Sequence, residues 1–362
     1  MLSVLSYLTI QDTVMMVGRR LLRWTSVVLV VICILASDGA PDSCSTPSAD
    51  CTDKPDSSPS HVESTPIQRR EEKMSKIATT RYPALFICHG GGPLPVLGDP
   101  MHESLVDSWK QHRRDFFSDI APSAILLVSA HYETSSMKVG GAARPKMLYD
   151  YGGFPPESYK LQYPAPGEPA LAAKAVELLT QAGVQAAVDA DRAFDHGVFV
   201  PLMIMFPEAT IPVVPVSVLR SQDPMEHMKV GAALSSLRDE GVLVIGSGSP
   251  SHNFATFGSK GVVGKVFNDK LEEVLTGPSL PAPEKIAELS RFLEWPKAEE
   301  AQVRGQAEHF TPLFTVLGTS HHFAPSITGG ATEEGAAQPD PPQCIFRGNL
   351  GNWYQTHYLF PN

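Results

Sequence analysis

Four histidines define the chemistry to be explained. His89 follows the apolar run Ala84-Leu-Phe-Ile-Cys88, His131 follows Ala124-Ile-Leu-Leu-Val128, and His252 comes shortly after Val242-Leu-Val-Ile245. His196 stands in Phe194-Asp-His-Gly197, just ahead of a proline-interrupted apolar stretch. Imidazole suits zinc, copper, iron and nickel, so three neutral histidines point to a metal site without choosing the metal. On zinc with an open position they activate water. On ferrous iron they leave room for oxygen and a chelating substrate, in the manner of the 2-His-1-carboxylate facial sites. His196, between an aspartate and a glycine, suits general acid–base work or a weak fourth metal contact. Its plain alternative is a histidine capping the segment that begins Val198-Phe-Val-Pro201.

Residues so far apart meet only if the fold gathers them. Short β-branched-rich runs alternate with helical segments, which predicts an α/β fold: a single domain with a central mixed sheet flanked by helices. Such sheets bind ligands at the carboxyl ends of their strands, where His89, His131 and His252 all fall. The spacing predicts a helix over His102–Phe117, a long ordered loop over 149–167, and a helix Ala170–Ala182 bracketed by Pro169 and Gly183. A strand Ile211–Val218 follows, then a helix between Asp223-Pro224 and Gly241, then the strand Val242–Ile245. Helical segments near 284–294 and 305–318 precede a glycine- and proline-rich tail.

The local context of each histidine adds detail. His89 opens His-Gly-Gly-Gly-Pro93, where glycines permit a sharp turn and close ligand approach. The Walker lysine and G-x-G-x-x-G spacing are missing, so this is no phosphate loop. Glu133, two residues after His131, becomes a candidate carboxylate ligand if the chain turns there. His252 lies in the small-residue loop Gly246-Ser-Gly-Ser-Pro-Ser-His-Asn253, and His309 in Glu308-His-Phe-Thr-Pro312 is either a packed helix-start histidine or a substrate contact. His102 and His112 fall on a predicted surface helix, His227 on an amphipathic helix and His357 near the end. These, with His61, His321 and His322, read as structural or solvated.

The chain has 362 residues, 43% hydrophobic, with 29 lysine and arginine against 39 aspartate and glutamate, for a net charge of -10. That is ample for a large core, and without a basic, aromatic-interleaved cluster it argues against nucleic acid as a partner. Cysteines 33, 44, 51, 88 and 344 form no C-x-x-C pair, which excludes a zinc ribbon or thioredoxin-like motif. Cys44 and Cys51 are close enough for a disulfide if the region is exported, whereas Cys88 reads as a buried strand residue.

Residues 1–36 resemble a leader: Arg19, Arg20 and Arg23 precede the apolar run Val27 to Ala36, as in a signal peptide or signal-anchor. The run is shorter than the ~20 residues a membrane span needs. Residues 37–76, rich in Ser, Pro, Asp and Thr, read as a disordered linker, and 77–362 as the globular domain. A functional leader implies a secretory or membrane-anchored protein, and contact with a membrane is expected only through that leader. Met74 as the start would make it irrelevant. Oligomeric state is not legible.

Several segments together are similar to a known family. They are His89-Gly-Gly-Gly-Pro-Leu-Pro95, Ser129-Ala-His-Tyr-Glu-Thr134, Tyr149-Asp-Tyr-Gly-Gly-Phe-Pro155, Tyr163-Pro-Ala-Pro-Gly167, Asp195-His-Gly-Val-Phe-Val-Pro-Leu202, Phe206-Pro-Glu-Ala-Thr-Ile-Pro212, Gly246-Ser-Gly-Ser-Pro-Ser-His-Asn253 and His309-Phe-Thr-Pro-Leu313. In this order, from about residue 82 to about 320, the chain resembles the class III (LigB-type) extradiol ring-cleaving dioxygenases, in the DOPA 4,5-dioxygenase branch. The resemblance implies His89, His131 and His252 as metal ligands, His196 as the acid–base histidine and His309 in the substrate pocket. It implies ferrous iron, Fe(2+), with zinc, Zn(2+), also able to occupy the site, and a small catechol plus O2 as substrates in a cytoplasmic enzyme. Two features depart from the pattern: an extra glycine before Pro93, shared with one sub-branch, and Tyr132 where the plant betalain enzymes have Trp. A zinc hydrolase on the same three histidines, or a non-catalytic metal-binding protein of this fold, are the alternative readings.

Overall fold

A computed structural model describes residues 81–118, 121–323, 327–328 and 340–361. The leader, the linker, the domain start at 77 and the compartment they decide lie outside the described residues. No helix among the described residues is long and apolar enough to cross a membrane.

Eight strands form one sheet: β1 Ala84–Cys88, β2 Ala124–Thr134, β3 Met137–Gly140, β4 Ala186–Asp189, β5 Val213–Leu219, β6 Val242–Gly248, β7 Gln343–Leu350 and β8 Trp353–Phe360. Their order is β4-β3-β5-β2-β6-β1-β8-β7. β1 and β2 each lie parallel to β6, and β2 parallel to β5, while β8 closes the far side antiparallel to both β1 and β7. The sheet is therefore mixed, with a parallel centre.

The central strands carry unbroken apolar runs, Ala84–Cys88, Ala124–Val128 and Val242–Ile245, because both faces are covered, as parallel sheets require. In β2, Ala124, Leu126 and Val128 face one core while Ile125 and Leu127 face the other. The first core takes the helices α2 Pro169–Gln181, α4 Pro224–Leu234, α5 Lys265–Thr276, α6 Ala282–Ser290 and α8 Thr311–Gly318. The second takes α1 Glu103–Phe117 and α3 His196–Met205; a short α7 spans Ala298–Ala301. Burying each large aliphatic or aromatic side chain here contributes roughly 1.5–3 kcal/mol.

The structure corrects several expectations. The helix predicted from 305 begins only at Thr311, because Gly305 takes φ +78° in a tight turn closed by a Val303–Gln306 bridge. The tail contains the β7–β8 hairpin that extends the sheet. His102 and His112 are buried at 1% and 2% exposure rather than lying on a surface helix face. His102 bonds Asp99 and the Gly91 amide, which pins the glycine turn after His89. His112 Nε2 meets His357 Nδ1 at 3.1 Å, tying α1 to β8.

Burial lowers His112 to about 4, opposed by Asp115, and burial, with His112 beside it, holds His357 well below its usual value, so both are neutral in the folded state. Their folded pKa values lie below the unfolded value near 6.5. The unfolded chain therefore binds more protons as pH falls, and stability drops between about pH 6.5 and 4. For His112 alone the loss is about 3 kcal/mol. The denaturant midpoint is expected to fall over this range, and less steeply in the double variant His112→Leu/His357→Leu. An unchanged slope in that variant would remove the pair from the account.

Candidate metal centre

The three strand-end histidines converge at the carboxyl side of β1, β2 and β6. His89 leaves β1 with its amide bonded to the Gly248 carbonyl at 3.2 Å. The next residue, Gly90, has φ +81°, a region closed to most side chains, and packs on Pro95 and His102. His131 occupies an irregularity in β2, where the register against β5 shifts between Val128 and Glu133. Bulges of this kind re-aim side chains beside active sites. Glu133 turns to Gln222 and Arg220 rather than into the cluster. His309 is held by close backbone approach: its carbonyl accepts from Ser249 N at 2.7 Å, and a Cβ on Gly248 would lie 2.1 Å from that oxygen.

His131 Nε2 lies 3.2 Å from His89 Nε2 and 3.2 Å from His309 Nε2. His252 stacks on His309, with ring centroids 3.4 Å apart and planes at 14°. One candidate ligand group is thus His89, His131 and His309, and a second is His252, Glu308 and His309. The geometry brings together all five histidines singled out in the sequence, with His309 at the heart of the donor cluster and His252 against its ring.

Hydrogen bonding fixes which nitrogens carry protons. Ser247 donates its hydroxyl to the Gly197 carbonyl at 2.6 Å, so at 3.0 Å it accepts from His89 Nδ1. The Gly197 carbonyl is free for this because Pro201, four residues on in α3, has no N–H to offer it. His309 Nδ1 donates to Glu308 at 2.9 Å, and His131 Nδ1 faces Asp150 Oδ2 at 3.4 Å. Each Nδ1 is therefore the protonated nitrogen, and three Nε2 lone pairs point at one another. Neutral imidazoles arranged so repel unless a cation lies among them, and carboxylate- or hydroxyl-oriented histidines are the usual metal donors. The donor set fits a metal ion.

Burial, reinforced by the neighbouring histidines, lowers the pKa of His89 and His309 well below the usual value. At His131 burial and His196 lower it, outweighing the opposite pull of Asp150. Burial, with His196, brings His252 to about 4. All four stay neutral and able to ligate at physiological pH.

His196 is the first residue of α3, whose cap is Asp195, not His196 itself. Asp150 Oδ1 accepts from both the backbone N–H and Nδ1 of His196, at 3.0 and 2.9 Å. That turns His196 Nε2 away from Asp150, and the ring centroid lies 3.9 Å from that of His131. Burial raises the Asp150 carboxyl, but the hydrogen bonds it accepts from His196 and the electrostatic pull of the His196 and His131 rings outweigh this and hold it at about 2. Asp195 is fully buried and anchored by Ser129 at 2.7 Å and by Arg192, whose guanidinium lies 3.8 Å over the Tyr132 ring. Tyr132 in turn donates to Asp189 at 2.6 Å, so this departure from the plant pattern props the Arg192–Asp195 pair.

Asp150 and Glu308 are the functional residues that the sequence did not single out. Asp150 is carried by the ordered aromatic loop, where Tyr149 and Tyr151 bond back to Leu161 and Ser158. Its only signal was an acid held between two tyrosines.

Losing the Ser247 hydroxyl leaves His89 Nδ1–H without its acceptor. Ser247→Ala is expected to weaken metal affinity ~10–100-fold, the usual range for removing such a supporting contact, as read by competition with a chromogenic chelator. Unchanged affinity would count against the tautomer assignment.

A doubly covered α/β sheet with four clustered neutral histidines and a fifth, His196, held by a carboxylate defines a metal-dependent enzyme of small-molecule chemistry. Residues 83–330 match the family described as the catalytic LigB subunit of aromatic ring-opening dioxygenase, and the chain belongs to that family. It is 39% identical to a dioxygenase (tasH) of Hapsidospora irregularis over 66% of this chain and 78% of that one. It is also 38% identical to the 4,5-DOPA dioxygenase extradiol of Beta vulgaris over 65% of this chain and 85% of that one. An uncharacterised protein of Escherichia coli K12 has a similar structure, with TM-score 0.58 and 29% identity, covering 77% of this chain and all of that one. This chain is thus an extradiol aromatic ring-opening dioxygenase, and the hydrolase and non-catalytic readings fall away.

Proposed function

We propose that the centre holds ferrous iron through His89, His131 and His252, with His309 on the same donor face, and opens the ring of a DOPA-like catechol. The observation that supports this is the convergence of the Nε2 atoms of His89, His131 and His309, with His252 stacked on His309, beside a separately oriented His196. Bound there, ferrous iron supplies a Lewis acid for the catechol hydroxyls and a reductant for dioxygen. Both oxygen atoms enter the product, and the carbon–carbon bond next to the two hydroxyls breaks, giving a semialdehyde able to cyclise. His196 Nε2 takes the proton from a ring hydroxyl and returns it as the ring opens. Asp150 balances the imidazolium formed meanwhile and keeps Nδ1 from exchanging roles with Nε2. The catechol class is supported by relatives named for 4,5-DOPA cleavage.

The test is oxygen uptake by protein reconstituted anaerobically with Fe(2+) or with Zn(2+), given DOPA and a small catechol panel. Uptake matching catechol loss, with a coloured product, is expected for the iron form alone. No uptake at stoichiometric iron would overturn the proposal. Uptake with simple catechols but not DOPA would confine the correction to the substrate.

A further inference from the structure

Beside the histidine cluster the surface is aromatic rather than polar. Phe254, two residues after His252, packs its ring 4.9 Å from that histidine and is nevertheless 61% exposed. Trp353 of β8 lies beneath, 5.2 Å from Phe254, 4.7 Å from Phe257 and 5.6 Å from His252, and is itself buried. Phe257 is 40% and Val262 50% exposed. Large apolar groups open to water cost stability unless something covers them, and contiguous patches of this sort mark binding surfaces.

The ledge is held firmly. Asn253 clamps the loop through the Glu299 carbonyl at 2.7 Å and the Ala255 amide at 3.0 Å. Thr256 Oγ1 accepts from Trp353 Nε1 at 3.2 Å, and Asn352 bridges the Thr256 carbonyl and the Gly258 amide at 2.8 and 2.7 Å. Two exposed phenylalanines fixed on such a loop make a pre-organised surface rather than a loose one. Ring contacts run from His309 through His252 to Phe254, Trp353 and Phe257, which sets the ledge against the edge of the histidine cluster. The supporting Trp353 comes from the hairpin, beyond the residues matched to the family.

We propose that Phe254 and Phe257, backed by Trp353, form a subsite for a flat apolar substituent on the substrate ring, so that this enzyme prefers catechols bearing an aryl or arylalkyl arm. The inference rests on the catechol reading above. A stacked aromatic arm is worth ~0.5–1.5 kcal/mol beyond the area it buries, which sets a tenfold preference within reach.

The test is calorimetric binding of catechol and 4-(2-phenylethyl)catechol to the full chain before metal loading, alongside their turnover by the iron form. The arm is expected to tighten binding at least tenfold in the native protein, and that ratio to collapse to within about twofold in Phe254→Ala. Phe257→Ala is expected to lower the ratio partway. No arm effect in the native protein, or an arm effect untouched in both variants, overturns the subsite. So does a dimer that dissociates on Phe254→Ser, since a second copy would then cover the ledge. Binding with the expected ratio but no turnover of either catechol leaves the subsite standing and sinks the dioxygenase substrate reading instead.

Discussion

Replacing His196 with alanine is expected to lower kcat by ~10²–10⁴-fold, the usual contribution of a positioned acid–base group, while metal content stays near one ion per chain. The expectation follows from its bonding: both its amide and its Nδ1 are committed to Asp150, which leaves Nε2 as the one nitrogen free to move a proton. The imidazole is a side chain on the first turn of a helix capped by Asp195, so its loss leaves that cap in place. Single-turnover oxygen uptake and metal analysis on the same sample provide the check. Turnover equal to the native enzyme would end the acid–base assignment, and loss of the metal would recast His196 as a ligand.

Replacing His131 with alanine is expected to abolish metal retention and, with it, all ring opening. Its Nε2 is the shared vertex of the donor cluster, 3.2 Å from His89 and from His309, and its Nδ1 leans on the Asp150 that also orients His196. Because His131 sits in a strand irregularity at the sheet's end, its truncation leaves the buried run Ile125–Val128 intact. Metal per chain after desalting and the far-ultraviolet circular dichroism spectrum are the paired readouts. A folded variant that keeps a full equivalent of iron would remove His131 from the site. His252→Ala, measured alongside, is expected to lose metal as well.

Much of this arrangement was legible in the sequence, and for definite reasons. The runs ending at Cys88, Val128 and Ile245 are apolar at every residue, which only a sheet covered on both faces rewards, and that placed three histidines at neighbouring strand ends. Pro169, Gly183 and Asp223-Pro224 marked helix boundaries through local backbone chemistry. The hairpin at Gln343–Phe360 was hidden because β7 is a partly exposed edge whose polar and apolar residues follow no clean alternation. The burial of His112 and His357 depends on a contact between elements distant in the chain, so no local period reveals it. Asp150 and Glu308 escaped notice for a related reason: a lone carboxylate acquires its role only when the fold brings a histidine to it.

The pairing of β1 has a consequence for how the protein comes to hold its metal. Among the described strands the one that delivers His89 is synthesised first, yet its neighbours are β6 and β8, with Ala84 set against Phe360. His89 also takes its orientation from Ser247, 158 residues downstream. Contacts of such long sequence separation form late and slowly. A growing chain on the ribosome therefore carries His89 long before it can present a donor cluster. Metal capture is thus a property of the finished sheet, since the donors meet only when β1 and β6 pair.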